Sequence, residues 1–171
     1  MKIIFATVFF ALMFSVFCSA TAQPPTETSE AKTPQALLTK TTLPDQFDSS
    51  HSIDENTEWV IFSTDSYTSD LIKKALDDLK LTDLEPSKGF YVADISAMPS
   101  MITKMLALPE MKKYPFKILL DKEGDITRHW PRQKGKASLL KLKKLEITSQ
   151  KLSVKFDEIK DFIAEQTQAK K

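Results

Sequence analysis

The sequence predicts an α/β sandwich with a mixed central sheet flanked by helices, and three observations carry that expectation. First, the short apolar runs Trp59-Val60-Ile61-Phe62, Phe90-Tyr91-Val92-Ala93 and Phe116-Lys117-Ile118-Leu119-Leu120 are rich in β-branched and aromatic residues and have the length of buried strands. Second, between the first two runs Leu71, Ile72, Ala75, Leu76 and Leu79 recur at helical spacing, while Asp70, Lys73, Lys74, Asp77, Asp78 and Lys80 take the opposite face. Third, strand, helix and strand follow one another, an order that gives parallel neighbours joined by a right-handed crossover.

The amino terminus is basic at Lys2, apolar from Ile3 to Phe17, and small-residued over Ser19-Ala20-Thr21-Ala22. This is the order of a secretory signal peptide, so residues 1–22 are expected to be removed before Gln23 and the mature protein to be periplasmic or secreted. An uncleaved anchor is the alternative, but the run is shorter than the roughly 20 residues of a spanning helix. Cys18, the single cysteine, lies within this segment, and the bulky Phe17 before it argues against lipid attachment. Cleavage would leave a chain without thiols, excluding disulfides, thiolate catalysis and thiolate metal sites. Lys and Arg number 24 against 23 Asp and Glu, and loss of Lys2 would balance them, which argues against a nucleic-acid partner.

Residues 23–56 hold Pro24, Pro25, Pro34 and Pro44 among many Thr, Ser, Glu and Gln, and read as a flexible tether that cannot bury enough apolar surface to order itself. The domain proper is expected over 57–168, one core's worth of chain. After the Phe90 strand, Ser96 or Ala97 precedes a second helix with Pro99 in its first turn. Met98, Met101, Ile102, Met105 and Leu106 mark its expected buried face, and Pro109 closes it. Turn residues Lys122-Glu123-Gly124-Asp125 follow the third strand and lead into an expected strand over Ile126-Thr127-Arg128-His129-Trp130. From Ala137 to Val154 the alternation of Leu140 and Leu142 with Lys141 and Lys143 favours a hairpin bending near Lys144 to Glu146, with a helix over Ser138 to Leu145 as the alternative. A last helix from Phe156 turns Ile159, Phe162 and Ile163 inward, and residues 169–171 are expected to fray.

The run from Val92 to Met105, a strand ending at Asp94 and a helix opened by Pro99, resembles the second strand and helix of the thioredoxin superfamily. Tyr114-Pro115-Phe116-Lys117-Ile118 resembles that superfamily's proline-led strand, which implies a cis Pro115 facing the site. Val60 to Ser69 resembles the strand and turn that carry its Cys-x-x-Cys, with Ser66 and Ser69 where the cysteines would stand. The resemblance implies a thioredoxin-like sandwich over residues 57–168 and, with serines in the dithiol positions, no disulfide exchange. A serine hydroxyl does not ionise usefully near neutral pH, whereas a thiol at a helix start does. The chain is also similar to a loose group of small exported bacterial proteins labelled as flavin-dependent dehydrogenases, which implies a flavin oxidoreductase. Gly89, Gly124 and Gly135, its only glycines, compose neither a Gly-x-Gly-x-x-Gly fingerprint nor a phosphate loop, so no cofactor is expected.

Several residues are candidates for a site. Asp65, Ser66 and Ser69, with Thr68, can line a hydroxyl-rich recess for an extended peptide, or simply cap a helix. Tyr114 and Pro115 can offer backbone groups to the same peptide, or form a structural turn. Met98, Met101, Met105 and Met111 suit a soft metal, but their helical spacing fits core packing better and no metal is expected. Trp130 and Arg132, within the basic stretch His129 to Lys136, can meet an anionic surface, or Trp130 can tuck into the core of a solvated loop. Asp65, Asp94 and Asp121 fall at strand ends, where α/β sites gather. His51 and His129 are too few for a histidine metal triad, and no Gly-x-Ser-x-Gly elbow occurs. The reading with most support is an exported, non-catalytic thioredoxin-like binding or adaptor domain for a polypeptide. A flavin-dependent oxidoreductase of the envelope, and an envelope-surface binding protein, are its rivals.

Overall fold

A strand with apolar side chains on both sides must cover both of its faces, and Trp59–Ser63 does so, each of its five residues being buried. In the computed structural model, which describes residues 37–168, this strand is the third of seven. The chain runs β1 (Thr41–Pro44), β2 (Ser50–Ile53), β3 (Trp59–Ser63), α1 (Ser66–Asp78), β4 (Gly89–Asp94), α2 (Ser100–Ile102), α3 (Leu108–Met111), β5 (Leu119–Asp121), β6 (Ala137–Lys143), β7 (Glu146–Ser153) and α4 (Phe156–Gln168). A 3-10 turn at Glu85–Ser87 precedes β4, and a π-helical turn at Thr103–Ala107 joins α2 to α3.

The main sheet has the order β5-β4-β3-β6-β7. β3 is parallel to β4 and β4 to β5, whereas β6 is antiparallel to β3 and β7 to β6, so the sheet is mixed as expected. Side chains alternating along β3 divide the interior in two. Trp59 and Ile61 join Tyr91, Ala93 and Leu139 beneath Ile72 and Leu76 of α1 and Ile159 and Ile163 of α4. Val60 and Phe62 point the other way, to Val92, Leu119 and Leu140, and there the cover is Leu38, Leu43, Ile53 and Trp130. Helices therefore pack on one face, while a small antiparallel β1-β2 sheet and a loop close the other. Gly89 is needed where it stands, because a Cβ there would fall 1.9 Å from the Trp59 indole.

The second face corrects the tether. Residues 41–53, read in the sequence as part of a flexible segment over 23–56, form the two-stranded sheet with Thr41 opposite Ile53 and Pro44 opposite Ser50. Burying Leu43 and Ile53 contributes about 1.5–3 kcal/mol each, which offsets the ordering of a polar stretch. The expected signal peptide (1–22), the first part of the tether and the fraying end (169–171) lie outside the described residues.

Two ties hold the β1-β2 sheet in place. Gln46, buried just past β1, accepts from the Ile118 N–H (2.9 Å) and donates to the Phe116 carbonyl (2.8 Å), so its amide stands in for a neighbouring strand along 116–118. His51 lies between carboxylates, its Nε2 3.1 Å from Asp45 and its Nδ1 2.9 Å from Glu85. Burial alone would raise Asp45, but the N–H groups of Ser49 and Phe47, with His51, more than offset it and hold the carboxyl below its ordinary value. Lys117 holds Glu85 low in the same way, with His51 adding to it.

Three further expectations change. The strand foreseen over Ile126 to Trp130 is a turn, because Thr127 turns inward to donate from both N–H (2.8 Å) and hydroxyl (2.9 Å) to buried Asp121. The second helix does not bury its methionine face: Met101, Ile102, Met105 and Leu106 are all exposed. The Tyr114–Pro115 bond is trans, as is every peptide bond among the described residues. The ambiguous stretch from Ala137 to Val154 is a hairpin, turning through Lys144 and Leu145 with φ of 50° and 67°. Leu145 offsets that left-handed backbone by burying its side chain in the second core.

Replacing Gln46 by Ala would leave the Ile118 N–H and Phe116 carbonyl without partners, and should cost about 2 kcal/mol in denaturant unfolding; a loss under about 0.5 kcal/mol would show that the amide holds nothing. Since Asp45 and Glu85 are depressed on folding, their stabilisation is present above the ordinary carboxylate range and is lost as pH falls through the lowered values. The melting temperature should therefore drop below about pH 4 more steeply in the natural protein than in Asp45→Asn, and parallel curves would refute the tie.

Candidate binding site

The start of α1 is set by Asp65, whose extended backbone and side chain make it the N-cap. Its Oδ1 accepts the Thr68 N–H at 2.9 Å and its Oδ2 the Gly135 N–H at 3.2 Å, so one carboxylate fixes the helix start and the loop before β6 together. The capping role foreseen for Asp65 is thus filled. Ser69 lies one turn in, its hydroxyl donating to the Asp65 carbonyl (2.9 Å) and lying 3.0 Å from Ser63 Oγ. Ser63 in turn meets the Tyr91 hydroxyl at 3.1 Å. Burial pushes that phenol up to about 12, so the chain of hydroxyls is neutral near pH 7 and acts as hydrogen-bonding structure. Ser66 is exposed on the first turn.

Beside this helix start lies a groove of about 520 Å³. Ser66 and Ser69 stand on one wall, Ile95, Ala97 and Met98 of the β4-α2 turn on the next, and Met111 and Tyr114 on the third. Tyr114 is steadied by Phe116, ring centroids 5.6 Å apart, and by Lys73 Nζ 4.2 Å from its ring centre. Asp65, Asp70, Asp94 and Glu110 supply the acidic lining and Lys134 an amine. The groove's lining thus combines apolar side chains with four carboxylates and one amine.

Of the seven residues the sequence offered for binding, Asp65, Ser66, Ser69 and Tyr114 come together here and three do not; Asp94, Met98 and Met111, candidates for other roles, also line the groove. Pro115 is exposed, trans and outside the groove lining. Trp130 is buried, 5.3 Å from Phe62 in an edge-on contact, so it presents no surface to a membrane or polyanion. Arg132 binds Asp94 (2.7 Å), the Thr127 carbonyl and the Thr127 hydroxyl (3.0 Å), and lies 5.0 Å from the Phe62 ring centre; it is a clamp between loop and sheet. Burial would raise Asp94, but Ser96 and Arg132 outweigh it and hold the carboxyl low. The sequence reading missed Ile95, Ala97 and Glu110, whereas Lys134 belonged to the basic stretch His129 to Lys136; the position of Ile95 and Ala97 just beyond a strand's carboxyl end was the available signal. Among the described residues no cluster of His, Cys, Asp and Glu could hold a metal, and no helix is long and apolar enough to cross a membrane.

No family model matches the chain, and no curated protein matches it. Solved structures do. Peroxidoxin BcpB from Mycobacterium tuberculosis matches with a TM-score of 0.52 and 13% identity, over 80% of this chain and 97% of that one. A candidate thiol:disulfide interchange protein DsbE from Chlorobium tepidum matches with 0.51 and 13%, over 81% and 97%. A candidate thioredoxin from Neisseria meningitidis matches with 0.50 and 14%, over 79% and 92%. Likeness at this identity is a likeness of fold.

Residues three apart on a helix's first turn lie side by side, and a thiol there is acidified by the helix dipole. Ser66→Cys with Ser69→Cys should accordingly form an intramolecular disulfide in air, seen as the loss of two hydrogens by intact mass. Persistently reduced thiols would show that the two positions are not paired as the geometry requires.

Proposed function

We propose that this thioredoxin-like domain is exported and binds a polypeptide in the groove at the start of α1, with no thiol chemistry of its own. The observation that carries the reading is the groove itself. Its body is made of exposed Ala97 and half-buried Met98, Met111 and Tyr114 over buried Ile95, and it opens beside the exposed hydroxyl of Ser66. A few polar groups around an apolar body is the usual make-up of a recognition site. The serines support binding over catalysis. Ser69 is engaged by Asp65 and Ser63, and among the described residues no histidine is bonded to either hydroxyl to activate it. Export is supported by the basic, apolar, small-residue order of residues 2–22. An adaptor role, in which one polypeptide is held for another to act on, fits a domain that binds without reacting.

Ala97 is exposed on the groove lining, so Ala97→Trp fills the groove from a position that is itself outside the core. Immobilised protein exposed to an envelope extract should retain a defined set of polypeptides, and Ala97→Trp should lose them while Glu55→Ala, exposed before the opposite end of β3, keeps them. Identical sets on all three would remove the groove from consideration.

A further inference from the structure

The stretch from Ser100 to Met111 holds two methionines in the open. Its buried residue is Thr103, whose hydroxyl donates to the Pro99 carbonyl at 3.3 Å, whereas Met101 and Met105 are 70 and 69% exposed, with Ile102 and Leu106 exposed beside them. Methionines at helical spacing are ordinarily core filler, and core filler is shielded from water. At Met101 and Met105 that shielding is absent. Met98 and Met111, the other two methionines among the described residues, are half-buried on the groove lining, and Met111 packs against the core that holds Trp59 and Ile61. Two open thioethers are thus flanked by two that are partly covered.

Exposure decides what chemistry a thioether can do. Its sulfur is nucleophilic without losing a proton, so it needs no neighbouring base and reacts wherever an oxidant can reach it. Oxidation to the sulfoxide turns a flexible apolar side chain into a polar one, which in a core disrupts packing. Met101 and Met105 have little packing to lose, so the change falls on the surface. Backbone bonds from the Thr103 N–H to the Pro99 carbonyl and from the Lys112 N–H to the Leu108 carbonyl, both 3.0 Å, hold the stretch independently of these side chains. The single cysteine, Cys18, lies outside residues 37–168, so among the described residues sulfur occurs only as thioether.

We propose that Met101 and Met105 form a redox modification site, at which hydrogen peroxide converts both thioethers to sulfoxides and so switches an apolar strip reversibly to a polar one. Each sulfur attacks one peroxide oxygen, the S–O bond forming as the O–O bond breaks, and the other oxygen leaves as water with both peroxide hydrogens. The sulfur gives up two electrons and the peroxide takes them. In the return step a thiol-dependent sulfoxide reductase supplies two electrons, its thiol pair becoming a disulfide while the sulfoxide oxygen leaves as water. This inference stands apart from the polypeptide-binding reading, whose groove is lined by neither Met101 nor Met105.

The test treats the purified protein with hydrogen peroxide, quenches at intervals, and locates the added oxygen by peptide mass mapping. Sulfoxide should accumulate at Met101 and Met105 at least about fivefold faster than at Met98 and Met111. Protein oxidised at these two positions should elute earlier from a hydrophobic-interaction column with its melting temperature unmoved, and methionine sulfoxide reductases acting on both sulfoxide epimers should restore the original elution. Met101→Leu combined with Met105→Leu, a nearly volume-conserving change, should keep the elution of the untreated protein and lose the peroxide-induced shift. Equal rates at all four methionines, or faster reaction at Met98 and Met111, would overturn the site. A melting temperature that falls as Met101 and Met105 react would show damage in place of a surface switch. Sulfoxides that the reductases leave untouched would remove the reversibility, and an elution shift that persists in the leucine double variant would assign the change to other residues.

Discussion

Complete burial of β3 is the constraint on which the rest of the structure depends. A strand with Trp59 and Ile61 on one side and Val60 and Phe62 on the other needs two covers. The helices α1 and α4 provide one, and the sequence announces them through their periodic apolar faces. The second is assembled from Leu38, Leu43, Ile53 and Trp130, apolar residues scattered through segments that look polar. Each of these residues is modest alone, and together they close a layer that a helix could have closed. Placing Trp130 there also explains why the loop around it folds inward instead of offering its ring to a surface.

Asp65 links that architecture to the candidate site. The same carboxylate starts α1 and anchors Gly135 at the mouth of β6, two places that border the groove. The groove's shape is therefore fixed by an interaction the fold requires, and a ligand meets a wall already in position, which lowers the ordering cost of binding. Ser69 belongs to the same framework through Ser63 and Tyr91. Ser66, lacking such a role, is the hydroxyl left available.

Much of this was legible beforehand. The β3 and β4 runs, the face of α1 and the β6-β7 hairpin follow from local patterning, and the pairing of Ser66 and Ser69 at a helix start follows from where β3 ends. What the sequence concealed were matters decided by distant partners. Leu43 and Ile53 look too sparse to order a proline- and threonine-rich stretch until the uncovered face of the sheet is known. Thr127 looks like a strand residue until Asp121 draws it inward. Met101 and Met105 have the spacing of a buried stripe, and periodicity cannot tell which side of a helix the π turn and Thr103 leave outward. Gln46 carries no signal at all, because its significance lies in the backbone of residues 116–118, far along the chain.

That glutamine also bears on how the molecule behaves in a crowd. Open sheet margins invite strands from neighbouring molecules and so promote aggregation. At the β5 margin Asp45 bridges to Leu119, and the Gln46 amide occupies the backbone groups just before it, so that border is already spoken for. The opposite border, β7, exposes Thr148, Ser149, Gln150 and Lys151, a polar and charged fringe unsuited to sticking. Both margins of the main sheet are thus occupied or polar, which discourages indiscriminate backbone pairing with neighbouring molecules.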